Sequence, residues 1–187
     1  MKRTLAWFLA AACLPVLAWT MPGRTVQVEV RAGYLIPSSH DVRDVYPNGL
    51  AFGADVTVPV VKALCAWGGL DYFHRVGKLT LTEEPTTLRV IPLFAGLRLQ
   101  AAGRSVRPYA AVAAGLFFYR ESSVIGTVTG SRVGLVAQAG LLVRIKGRVS
   151  LDLHGRYTTC RATSGGADPV TTELGGFQGG FGLSIAI

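Results

Sequence analysis

The sequence is poor in the residues that build most catalytic and metal sites. Its 187 residues include only three cysteines and three histidines, and 16% of them are charged. The histidines have no metal-ligand spacing, and no glycine-rich phosphate loop or G-x-S-x-G elbow occurs. We therefore expect no enzymatic activity, no cofactor and no metal site, and we assign no catalytic residue.

Long apolar runs are also scarce, although half of the residues are hydrophobic. Beyond the N-terminus no segment has the ~18 uninterrupted apolar residues of a membrane helix. Lys2 and Arg3 precede an apolar run over residues 5–17, and Val16-Leu17-Ala18 is typical of a signal peptidase site. This pattern predicts a cleavable signal peptide at 1–18, followed by one domain at 19–187. The alternative is a lipoprotein that is acylated at Cys13.

The rest of the chain alternates between apolar and polar residues with a period of two. Residues 26–32, Val-Gln-Val-Glu-Val-Arg-Ala, show the pattern without a break, which indicates a β-strand with one apolar and one polar face. Most of these segments have 11 to 15 residues, which suits tilted membrane strands better than the ~5–6 residues of a globular strand. Eight strands are predicted, at 26–36, 49–61, 64–76, 87–101, 106–120, 131–145, 148–161 and 176–187.

The connections between these strands alternate strictly in length. Gaps 37–48, 77–86, 121–130 and 162–175 are long and polar, whereas gaps 62–63, 102–105 and 146–147 are short. Long external loops and short periplasmic turns are typical of outer-membrane barrels. The predicted fold is therefore all-β, an eight-stranded antiparallel up-and-down transmembrane β-barrel. It places Cys65 and Cys160 at opposite ends, so no disulfide is expected between them.

Charged residues fall on one parity within most strands, which predicts that they point into the barrel. A Lys or Arg that faces lipid at mid-depth would cost ~2–4 kcal/mol. Strand 106–120 is apolar on both faces, and its orientation stays open. The predicted lumen charge network consists of Glu29, Arg31, Asp55, Asp71, Arg75, Arg98, Arg144, Asp152, His154 and Arg156.

Both ends of the barrel carry a distinctive composition. Aromatic residues near the external ends indicate an interfacial girdle, and basic residues near the periplasmic ends suit either anionic headgroups or a solvated rim. The girdle residues are Tyr34, Phe52, Tyr72, Phe117, Tyr119, Tyr157 and Phe177. The periplasmic bases are Lys62, Arg104, Arg107, Arg144, Lys146 and Arg148.

The eight alternating strands, the four long loops and the run Arg-Pro-Tyr-Ala-Ala-Val-Ala-Ala-Gly at 107–115 resemble the small outer-membrane β-barrel family of OmpA-like, OmpX-like and OmpW-like barrels. The resemblance implies outer-membrane lipid, lipopolysaccharide and the barrel-insertion machinery as partners. Members of that family act as structural proteins, adhesins, narrow channels or lipid-modifying enzymes, so the fold leaves the function open. The chain departs from the family in ending on an aliphatic residue, Ile187, and in its pI near 9.9.

The leading hypothesis is a non-enzymatic outer-membrane protein with a structural or loop-mediated binding or adhesion role, whose extracellular partner the sequence does not name. One alternative is a soluble, secreted lipocalin-like barrel, in which the apolar face would line the interior and bind a small apolar ligand. Others are a narrow channel and a lipid-modifying enzyme that uses the Asp152, His154 and Arg156 face. Nucleic-acid binding is not expected, because the basic residues are spread along the strands rather than clustered on one exposed face.

Overall fold

The computed structural model describes residues 25–78, 84–124, 126–163 and 171–187, so the predicted signal peptide at 1–18 lies outside the described residues. The eight predicted strands are confirmed, with ends that shift by a few residues. Within the described ranges no helix is long and apolar enough to cross a membrane. The elements are β1 (Gln27–Pro37), α1 (His40–Val45), β2 (Gly49–Val61), β3 (Leu64–Lys78), β4 (Pro85–Gln100), β5 (Val106–Ser123), β6 (Gly126–Lys146), β7 (Val149–Thr163), β8 (Thr171–Glu173) and β9 (Gly176–Ala186).

Eight long strands close into an antiparallel up-and-down barrel. Each strand from β1 to β7 pairs with the next, and β9 pairs with both β7 and β1 to close the ring. The three-residue β8 pairs with the external end of β7. Closure gives each of the eight long strands a partner on both sides, which removes the exposed edges of an open sheet.

The two faces of the barrel differ as the alternation predicts. In β9, Phe181 and Leu183 are exposed on the outside, whereas Gln178 and Ser184 are buried inside. The structure also shows which face of β5 points into the barrel, which its sequence left open. Its odd-numbered residues point inward, and one of them, Phe117, is only 1% exposed.

A hydrophobic cluster extends from the middle of the interior to the external end. It contains Trp67, Phe73, Phe94 and Phe117, and the small residues of β5 leave room for these large rings. Helix α1 and the residue after it close the cluster at the external end. Val42 and Tyr46 provide this contact and are both buried. The sequence predicted neither the helix nor the apolar layer.

The predicted loop at 121–130 is wrong, because β5 and β6 continue to pair as far as Ser123 and Gly126. The side chains of Ser122 and Thr127 hydrogen-bond across this hairpin at 2.7 Å, and Gly126 adopts a φ of 151° that favours glycine. The hairpin therefore extends the barrel wall outward. Loops 77–86 and 162–175 lie partly outside the described residues. Cys65 and Cys160 are both buried and are not joined by a disulfide, as expected.

Candidate functional site: the barrel interior and its two ends

The centre of the barrel holds four charged residues in one network. Arg31 on β1 forms ion pairs with Asp55 on β2 and with Asp71 on β3, the second at 2.5 Å. Arg156 on β7 reaches the same two carboxylates, at 3.0 Å to Asp55 and 2.5 Å to Asp71. Two positive and two negative charges therefore compensate one another in a water-poor interior, where an unpaired charge would be costly.

Neighbouring side chains fix the position of Arg156. Its guanidinium lies 4.7 Å from the ring centroid of Phe94 and 5.3 Å from that of Trp67. Its Nε donates to the Gln138 side chain at 2.8 Å, and the Trp67 indole donates to Asp55 at 3.1 Å. Arg156 is therefore held by both aromatic packing and hydrogen bonds, which restricts it to one arrangement.

A second buried cluster lies one layer closer to the periplasmic end. His154 Nδ1 and Asp152 Oδ2 are 2.6 Å apart, and Glu29 on β1 joins them so that one donor atom from each residue lies within 4.8 Å of the others. The sequence did not predict this trio, because Glu29 is far from Asp152 in the chain. The two strands meet through β9, which pairs with both.

The donor set of this cluster suits either a shared proton or a divalent cation. Glu29 also lies 3.8 Å from Arg98, and the Arg98 guanidinium lies 3.4 Å from the Tyr109 ring centroid. An Asp-oriented histidine could also act as a base. Among the described residues, however, no hydroxyl group is hydrogen-bonded to His154, whose Nε2 has no partner.

Two arginines assigned to the charge network lie outside it. Arg144 is exposed at the periplasmic end of β6, and Arg75 is half-buried near the external end of β3. Neither forms any of the ion pairs found among the described residues. The prediction for these two arginines is wrong because the alternation within a strand shows whether a side chain points inward, but not how far along the barrel axis it lies.

Five of the seven predicted girdle residues point outward, and two do not. Phe117 and Tyr119 face the interior, where they take part in the hydrophobic cluster. Phe118 is exposed on the outer face instead. The prediction of Phe117 and Tyr119 as girdle residues is wrong because the odd-numbered residues of β5 point inward. The predicted girdle residues that point outward are Tyr34, Phe52, Tyr72, Tyr157 and Phe177.

The periplasmic end opens into a cavity of about 720 Å³. Lys62, Arg107, Arg144 and Arg148 are among its lining residues, and Arg107 donates to the Ser150 hydroxyl at 3.3 Å. These bases therefore surround the mouth of the barrel, rather than all pointing outward toward lipid. Of the described residues that line the cavity, none is acidic.

No known protein family and no curated protein matches the sequence. Solved structures do match. Neisserial surface protein A aligns with a TM-score of 0.54 at 17% identity, over 88% of this chain and 97% of the other. Ail, the attachment invasion locus protein of Yersinia pestis, solved in complex with the heparin analogue sucrose octasulfate, aligns with a TM-score of 0.52 at 15% identity, over 87% and 97%.

A major outer membrane protein from Thermus thermophilus gives a TM-score of 0.51 at 11% identity, over 88% of this chain and 100% of the other. These similarities span nearly the whole described chain, and the strand order and outward apolar face agree with them. The chain thus has the fold of the small eight-stranded outer-membrane β-barrels, which confirms the resemblance seen in the sequence.

Proposed function

We propose that the protein is a non-enzymatic integral outer-membrane protein, a sealed barrel that displays a binding surface at its external end. The observation that carries this proposal is the ion pair between Arg156 and Asp71. These residues lie on β7 and β3, which are four strands apart in either direction around the ring. The pair therefore bridges opposite walls of the barrel.

This bridge argues against a conducting channel. An eight-stranded barrel is just wide enough to be filled by its own side chains. Here the charge network and the hydrophobic cluster together fill the interior from its centre to the external end, with Arg156 and Asp55 almost fully buried. The periplasmic cavity is therefore a pocket that ends on packed side chains.

The outer face supports residence in the outer membrane. Large apolar side chains such as Val30, Leu97, Val112 and Phe181 are exposed around the ring. A soluble lipocalin-like barrel requires the reverse arrangement, with apolar residues inside and charged residues outside. The proposal also includes cleavage of residues 1–18 and delivery by the barrel-insertion machinery.

The external end offers the surface for binding. The β5–β6 hairpin continues beyond the apolar band as far as the pair Ser123–Gly126, and it exposes Val124 and Val128. An apolar tip on a rigid hairpin is costly in water and is a common feature of contact sites.

The proposal is tested by two measurements on the same protein. In planar bilayers the reconstituted protein should show no single-channel current, and steady ion conductance would contradict the sealed interior. Cells that express the wild type should adhere to epithelial surfaces better than cells that express Val124→Ser/Val128→Ser at equal surface levels. Equal adhesion of the wild type, the variant and empty-vector cells would refute the binding role.

A further inference from the structure

Three basic or imidazole side chains form a row on the outside of the barrel. His74 on β3 pairs with Arg89 on β4, and Arg89 pairs with Arg120 on β5. All three are exposed and occupy the outward-facing parity of their strands. Because adjacent strands are ~4.8 Å apart, the row spans roughly 10 Å of the surface.

This basic row lies at the external boundary of the apolar band. One step closer to the membrane centre, Ile91 pairs with Phe118, and both belong to the apolar face. Along β4, Arg89 lies ten residues from Leu99, an outward-facing residue near the periplasmic end. At ~3.3 Å per residue and a tilt near 40°, this is about 25 Å of height, the usual thickness of the apolar band. The guanidinium groups are therefore level with lipid headgroups.

The neighbouring positive charges of the row repel one another, and a bound anion would relieve this repulsion. Arg89 and Arg120 are directly opposite each other, and like charges in that position destabilise a sheet. Neither arginine takes part in the ion pairs found within the described residues. The Arg89 guanidinium lies 5.8 Å from the Tyr72 ring, which stacks in turn on His74, with 6.4 Å between their ring centroids. A rigid aromatic support thus holds the charges at this level without neutralising them.

We propose that His74, Arg89 and Arg120 bind a phosphate group of lipopolysaccharide in the external leaflet, an inference that rests on the proposed outer-membrane location. Two neighbouring guanidinium groups match the geometry of a phosphate, which accepts paired hydrogen bonds. The site faces sideways into the membrane at the external end, where lipopolysaccharide presents its phosphates. The binding surface of the β5–β6 hairpin lies farther out along the same strands.

The test uses the full-length mature protein and purified lipopolysaccharide as the probe. Arg89→Gln/Arg120→Gln is compared with the wild type, and Arg43→Gln/Arg132→Gln is the matched control, since it removes two external bases that lie outside the row. Dissociation constants for labelled lipopolysaccharide are measured in detergent micelles. Each arginine should contribute about fivefold, so the row variant should bind about 25-fold more weakly, whereas the control stays within about twofold.

Insertion into vesicles distinguishes a failure of this inference from a failure of the outer-membrane proposal. The three proteins are folded into vesicles of phosphatidylcholine alone, with phosphatidylglycerol, or with lipopolysaccharide, and thermal unfolding is followed by the gel shift of the folded barrel. Stabilisation by lipopolysaccharide that is lost only in the row variant supports the inference. Equal binding by all three proteins overturns it, and so does equal stabilisation by phosphatidylglycerol, which would assign the row to phospholipid. Failure of the wild type to insert into any vesicle would overturn the outer-membrane proposal and this inference together.

Discussion

Replacing Arg156 with methionine should destabilise the barrel by about 3–5 kcal/mol, the usual cost of removing one partner from a buried ion pair. Arg156 is fully buried and contacts Asp55, Asp71 and Gln138. Without it, Arg31 alone faces two carboxylates, and one negative charge loses its partner. Methionine preserves much of the packing against the surrounding rings, so the loss of stability measures mainly the effect of removing the positive charge.

A second substitution isolates that charge effect. In the double variant Arg156→Met/Asp71→Asn, Arg31 and Asp55 remain as a balanced pair. The double variant should therefore recover part of the stability lost in the single variant. Adding Asp71→Asn to the wild type should instead be destabilising, because it leaves two arginines with one carboxylate. The sign of this coupling tests the network independently of side-chain size.

The assay is equilibrium unfolding in urea, with the barrel in lipid vesicles and tryptophan fluorescence as the signal. Arg144→Met is the matched control, because Arg144 is exposed and lies outside the network. Its free energy of unfolding should change by no more than about 0.5 kcal/mol. If Arg156→Met costs less than about 1 kcal/mol, or if Asp71→Asn is equally harmful in both backgrounds, the central network does not hold the barrel as described.

Two further predictions concern packing and the external cap. Gly69→Ala should cost about 1–3 kcal/mol in the same assay, since its Cβ would collide with the backbone of β2, whereas Gly155→Ala meets only the edge of the Phe177 ring at ordinary contact distance and should be nearly neutral. Burial, followed by the hydrogen bond to Glu121, raises the pKa of Tyr46, so the stability that its neutral form contributes is present below about pH 10 and is lost as the pH rises through the raised pKa. An ultraviolet alkaline titration of Tyr46→Phe should show one late-ionising tyrosine fewer than the wild type, and an unchanged count would refute this contact.

The strands could be predicted because a membrane barrel imposes the same alternation on nearly every residue of every strand. β1 and β7 carry charges on one face and Val or Leu on the other, so their orientation was readable without tertiary information. β5 gave no such signal, since Ala and Val fit either face. Its orientation is set by pairing with β4 and β6, and the positions of Phe117 and Tyr119 could not be predicted without it.

Tertiary contacts explain what the sequence did not reveal about the interior. The parity of each strand identified Glu29, Asp152 and His154 as inward-facing, but only the register with β9 brings Glu29 to the other two. Helix α1 depends on Tyr46, whose hydroxyl bonds to Thr86 and Glu121 from distant strands at 2.9 and 2.6 Å. A six-residue helix with so little local support carries no strong periodic signal.

In the proposed arrangement, the apolar face of the closed barrel meets lipid and the opposite face is sealed inside. The most direct test uses neighbouring positions in β5, where Val112 is 63% exposed and Ala113 is 6% exposed. A small fluorophore is attached to Val112→Cys or Ala113→Cys in a background without Cys65 and Cys160, and the barrel is folded into vesicles that contain brominated lipid. We expect strong lipid quenching at position 112 and little at position 113. Equal quenching at both positions, or stronger quenching at 113, would contradict it.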